Sequence, residues 1–200
     1  CSKDYITSLN DCFDLFSKVL QGQHYIRKYT VDKLITDYES KFGLEYLSFL
    51  TNVCESFFFE KMGADINSKA NYLLSWIKDL DQVIIQFNKN CVQSEKNYAT
   101  KFLSSLGQRN PTDEQLEAIV TFENNNLLVA SAGSGKSATL VNKVCYAIDR
   151  KYAACDEVLI LAYGKDAAVE LIDKFREVRR ANKSFNEPAA ISTFHSLGAK

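Results

Sequence analysis

The chain has 200 residues, with 24 Lys and Arg against 25 Asp and Glu and a formal net charge of -1. That balance, shared evenly between the two halves, excludes a polybasic nucleic-acid coat, so any nucleic-acid contact must come from a local groove. Six widely spaced cysteines without a CxxC pair, beside only two histidines, give zinc ligation little support. The length allows one ordinary domain or two small ones. No signal peptide and no apolar run long enough to span a bilayer is present, so a soluble, cytoplasmic protein with reduced cysteines and no membrane partner is expected. Residue 1 is Cys rather than Met, so the natural N-terminus is expected to lie elsewhere.

Of the 24 aromatic residues, 17 precede residue 109, and the same stretch has no proline and only four glycines. That composition predicts a helical bundle over residues 1–108. Tyr5, Leu9, Cys12, Phe16 and Val19–Leu20 recur at helical spacing and stop at Gly22. Val31, Leu34–Ile35, Tyr38 and Phe42 make a second stripe ending near Gly43, and Leu47, Leu50, Cys54, Phe57 and Phe58 a third. Asn67 or Ser68 is the expected cap of a long fourth helix running from Tyr72 to Cys91, and a last helix carries Tyr98, Phe102 and Leu106 before Gly107. These stripes predict core packing. Phe57-Phe58-Phe59 cannot all face one side of a helix, so one of them is expected outside the local core. Tyr25-Ile26-Arg27-Lys28-Tyr29 interleaves basic and aromatic groups as single-strand binders do, although a solvated helix face explains it more simply.

From Asn110 the pattern changes. A helix over 112–121 is followed by an apolar strand, Leu127 to Ala130, then by Ser131-Ala132-Gly133-Ser134-Gly135 and a helix over 136–149 opened by Lys136-Ser137. Val158 to Ala162 reads as a second strand, and Asp166 as the cap of a helix over 167–180 with Ala167, Leu171, Ile172 and Phe175 facing inward. A polar linker with Pro188 leads to a third strand around Ala190–Ser192. Strands alternating with helices imply a parallel sheet, whose ligands bind beyond the carboxyl ends of the strands. The segments at 131–136, at 163–166 and from 193 onward all fall on that edge. The fold expected is therefore α/β: an incomplete parallel-sheet phosphate-loop unit over 109–200, preceded by an all-helical domain over 1–108.

A strand, a glycine-rich loop and a helix in this order make a phosphate cradle. Backbone N–H groups of Ala132, Gly133, Ser134 and Gly135 can face phosphate oxygens, and the helix N-terminus adds its positive end. Lys136 can place a point charge between terminal phosphates, and the Ser137 hydroxyl can hold a magnesium ion. The strict pattern has glycine six residues before the lysine, and here Ala130 stands there. Thr112 and Gln115 have the spacing of a capping box, with Pro111 beside the cap.

In order and spacing, Asn110-Pro111-Thr112-Asp113-Glu114-Gln115, Ala130 to Ser137, Leu159 to Tyr163 with Ala167–Ala168, and Thr193-Phe194-His195-Ser196-Leu197-Gly198 resemble the first motor domain of superfamily 1 DNA helicases of the UvrD/Rep type. Among these the chain is similar to the bacterial helicase IV branch, where a long helical region precedes the motor. The resemblance covers about 90 residues, 110–200; residues 1–108 match only in being helical and in position. It implies a RecA-like ATP-binding domain using ATP and Mg2+, with Gln115 reading the adenine edge and Lys136 and Ser137 as the phosphate and magnesium residues. It also implies that Tyr163, Lys165, Thr193, Phe194, His195 and Ser196 lie near single-stranded or partly duplex DNA, and that the parent translocates 3′ to 5′. For Phe194 a core position is an equal alternative, and His195 has no partnered carboxylate in sequence to make it a catalytic base. The family's Asp-Glu pair, arginine fingers and second motor domain are expected after Lys200, so residues 1–200 alone are expected not to turn over ATP. Two other functions stay open: a helicase-like ATPase that displaces RNA polymerase through helical arms, and a non-motor phosphate-loop ATPase or small-molecule kinase.

Overall fold

Helical periodicity in the aromatic-rich half becomes a set of packed helices. A computed structural model describes residues 2–22, 24–56, 59–181 and 190–199. Cys1, the Phe57–Phe58 pair, the Pro188 linker and Lys200 lie outside the described residues. The chain divides into two compact units, Cys1–Cys91 with Phe122–Asn125, and Val92–Thr121 with Asn126–Lys200.

The first unit holds α1 (Ser2–Leu20), α2 (Lys28–Phe42), α3 (Tyr46–Cys54), α4 (Ala64–Lys78) and the start of α5 (Leu80–Ser105). The predicted stripes are its core: Leu9, Cys12, Phe16, Leu34, Tyr38, Leu50 and Leu73 are buried together. Phe16 meets the edge of Tyr38 at 5.7 Å and Phe13 stacks on Trp76 at 5.4 Å. Burial pushes the Cys12 thiol up to about 12. Gly43 ends α2 at φ 75, a backbone angle that glycine adopts without strain.

Two boundaries differ from expectation. α4 starts at Ala64, ahead of Asn67 and Ser68, and breaks at Asp79, where φ is -135 and ψ 39. α5 then runs unbroken through the expected gap between Cys91 and Tyr98, since nothing from Leu80 to Ser105 is glycine or proline. The Tyr25–Tyr29 segment is mostly a connector rather than a helix face. Asn88 accepts from the Ile26 N–H at 2.8 Å and donates to its carbonyl at 2.9 Å, while Arg27 lies over the Phe122 ring and the Lys28 N–H donates to Glu123.

The second unit holds the end of α5, α6 (Asp113–Val120), α7 (Lys136–Asp149), β1 (Leu159–Ala162), α8 (Lys165–Ala181), β2 (Ala190–Thr193) and α9 (Phe194–Gly198). β1 and β2 pair in parallel from Leu159 opposite Ala190 to Ala162 opposite Thr193. α8 is the crossover, burying Ala168, Leu171, Phe175 and Val178. It starts at Lys165, so Asp166 sits in its first turn and is not its cap.

The expected strand at Leu127–Ala130 is not formed. Leu127 and Val129 are 91% and 84% exposed, and among the described residues no strand pairs with this segment. A strand exists through its cross-strand hydrogen bonds, so apolar sequence without a neighbour stays unpaired. The described chain is thus mainly helical with a two-stranded parallel sheet. Among the described residues, no helix is long and apolar enough to cross a membrane.

Polar ties fasten the end of α5 to α6 and α7. Glu95 is buried and accepts from the Tyr146 hydroxyl at 2.5 Å and from Arg150 Nε at 2.8 Å; its second oxygen also accepts from the Arg150 guanidinium. Arg150 lies 3.9 Å over the Tyr98 ring, whose hydroxyl donates to Asp149. Lys96 donates to Asp113 and Glu117 of α6 at 2.9 and 3.0 Å.

Candidate functional site

The turn from Ser131 to Gly135 has left-handed backbone at both glycines, φ 77 at Gly133 and 86 at Gly135. Ser134 N–H reaches back to the Ser131 carbonyl at 3.4 Å, closing the turn. α7 then starts at Lys136, and its first intrahelical bond runs from Thr139 N–H to the Gly135 carbonyl at 2.8 Å. The N–H groups of Lys136, Ser137 and Ala138 lie in that first turn, ahead of any i−4 partner within the helix. This donor-rich, positive helix end is suited to an anion. Lys136 Nζ donates to the Ala130 and Ser131 carbonyls at 2.8 and 2.6 Å, so its ammonium folds over the mouth of the turn. Ser137 follows it, half-buried, with Ala132 and Ser134 exposed on the turn itself.

α6 flanks the turn. Thr112 and Gln115 form the anticipated capping box: the Gln115 N–H donates to Thr112 Oγ1 and the Thr112 N–H to Gln115 Oε1. Gln115 Nε2 also donates to the Ser134 carbonyl at 2.9 Å. Behind the turn, Lys143 of α7 donates to the Ala118 and Thr121 carbonyls at 2.7 and 2.6 Å, capping the end of α6. Burial pushes its pKa down to about 8. A groove of about 680 Å³ opens here, lined by Ala118, Leu127, Leu128, Leu140 and Lys143. Neither Lys143 nor Glu95 is legible in the sequence, because their partners are far away in the chain and neither belongs to a local motif.

Parallel register puts Ala162 beside Thr193 at the carboxyl edge of the small sheet, so the chain leaves it at Tyr163 and Phe194 side by side. Tyr163 is 94% exposed, and Lys165, His195 and Ser196 are also exposed. Phe194 is 59% exposed. Thr193 is buried; its Oγ1 accepts from the Ser196 N–H at 3.2 Å and pairs with the Ser196 hydroxyl at 2.9 Å, holding the start of α9. The structure thus brings Tyr163 and the Thr193–Ser196 turn to one edge. It does not tie Ser131–Lys136 to that edge through a strand, because Leu127–Ala130 is unpaired.

The glycine turn, the helix opened by Lys136 and the cap at Thr112 all lie in one matched segment. Residues 111–200 match the UvrD/REP helicase N-terminal domain. This stretch is UvrD/REP-like. DNA helicase IV of Escherichia coli (strain K12) is 28% identical over 123 residues, covering 62% of this chain and 17% of that protein. A probable DNA helicase II homolog of Mycoplasma capricolum is 34% identical over 88 residues, covering 44% of this chain and 12% of the relative. ATP-dependent DNA helicase PcrA of Staphylococcus aureus is 34% identical over 84 residues, covering 42% and 11%. The chain therefore spans less than a fifth of the length of these curated relatives. No solved structure gives a significant match. The UvrD/REP-like segment contains the turn, the capping box and the Tyr163–Ser196 edge.

Proposed function

We propose that residues 109–200 are the N-terminal part of a RecA-like ATP-binding domain, preceded by a helical domain over 1–108, in an ATP-dependent 3′–5′ DNA helicase or translocase of the cytoplasm. The observation that carries this reading is a helix opened by Lys136 directly after Gly135, in a turn with positive φ at both Gly133 and Gly135, within the segment matching UvrD/REP helicases. The residues fit a magnesium nucleotide. The amides of Ala132, Gly133 and Gly135 to Ser137 would receive phosphate oxygens, Lys136 would neutralise the terminal phosphates, and Ser137 would hold the magnesium ion. Gln115 stands beside the loop with an amide that suits the adenine edge. When bound, the nucleotide supplies phosphoryl transfer to water; the side chains here bind and orient it. Tyr163, Lys165 and the Phe194–Ser196 turn form one stretch of the DNA track, stacking on bases and attracting phosphates.

The test is calorimetric titration of the purified protein with ATP and Mg2+. Lys136→Ala is expected to lower affinity by about 10- to 100-fold, the range for a group that makes charge-assisted hydrogen bonds. Equal ATP affinity in the variant and the wild type overturns the nucleotide reading.

A further inference from the structure

The side-chain amide of Gln115 reaches beyond its own helix. Its oxygen accepts from the Thr112 N–H at 2.9 Å, and its nitrogen donates to the Ser134 carbonyl at 2.9 Å. A Cβ placed on Gly135 would lie 3.1 Å from that same nitrogen, so the amide packs directly against the residue before Lys136. The Ser134 carbonyl and the Gly135 N–H belong to one planar peptide and point in opposite directions. Holding the carbonyl on the α6 side therefore aims the Gly135 N–H away from α6. Gly135 has φ 86, and without a Cβ it could adopt other φ values at little cost, so something else must hold this peptide in one orientation.

We propose that Gln115 is a positioning residue of the phosphate loop: it locks the Ser134–Gly135 peptide so that the Gly135 N–H is pre-aimed at phosphate, whatever base the ligand carries. The proposal rests on the nucleotide reading above and adds to it a base-independent role. An amide has two hydrogens and two acceptor sites, and the cap and the loop use one of each. One donor and one acceptor remain for an adenine edge, so loop positioning and base reading are compatible in one side chain.

Inorganic tripolyphosphate, which has no base, separates the two roles. Its affinity and that of Mg-ATP are measured by calorimetry for the wild type, Gln115→Met and Thr112→Val. Gln115→Met keeps the shape of the side chain and removes both amide bonds; Thr112→Val removes the hydroxyl arm of the cap and leaves the tie to Ser134. The expected result is that Gln115→Met binds tripolyphosphate about three- to ten-fold more weakly, the range for one hydrogen bond, while Thr112→Val binds like the wild type. The backbone order parameter of the Gly135 N–H, from NMR relaxation, is expected to be lower in Gln115→Met than in Thr112→Val. A Gln115→Met that loses ATP affinity and keeps full tripolyphosphate affinity shows a base reader only and overturns the proposal. Equal losses in both variants assign the effect to the helix cap and overturn it as well. A wild type that binds neither ligand overturns the nucleotide reading itself.

Discussion

Glu95 shows how much one buried charge can depend on its neighbours. A carboxylate this far from water is stable only because a phenol and a guanidinium satisfy both of its oxygens. The coupling is visible in its partners: burial first, and then the bond to Glu95, pushes the Tyr146 hydroxyl up, and the same carboxylate favours the charged form of Arg150. Glu95→Gln keeps the volume and removes the charge, leaving the guanidinium half-buried against a neutral amide. Unfolding in urea is expected to show a loss of about 3 kcal/mol, with Tyr146→Phe losing less because it breaks one bond and strands no charge. An unchanged urea midpoint for Glu95→Gln would show that the cluster is incidental to stability.

Among the secondary-structure elements, what could be read from the sequence was what is local. The Thr112–Gln115 cap and the helix opened by Lys136 depend on residues within one or two turns, and both stand where the spacing put them. The Leu127–Ala130 strand was not legible in the same way, because strand formation is decided by distant partners, and no described strand flanks it. The α4–α5 break at Asp79 carries no glycine or proline signal, and the Glu95–Arg150 pair spans 55 residues without a trace in either local pattern. The β1–β2 edge was read more successfully: both strands, their parallel order and the crossover were visible as alternating apolar runs and a helical stripe. Thr193 is buried and caps α9, so its removal would disturb the turn itself, whereas Tyr163 and Lys165 are exposed at the edge. Fluorescence anisotropy with mixed-sequence single strands is expected to show weaker binding for Tyr163→Ala at every salt concentration. Lys165→Ala should flatten the salt dependence by about one counterion. Wild-type behaviour of both variants across the salt series would remove these residues from the track.

For the molecule as a whole, the near-neutral charge of -1 leaves little long-range repulsion between copies. Leu127, Leu128, Val129 and Ala130 are exposed, uncharged and free of proline, and among the described residues no strand pairs with this segment. Such a segment is a template for the same segment of another copy. Light scattering of these 200 residues is expected to rise with concentration and to fall in Val129→Lys, with helix content unchanged by circular dichroism. Scattering that is independent of concentration in the wild type would count against this. On that expectation, the concentration at which a binding constant can be measured is set by four apolar residues beside the glycine turn.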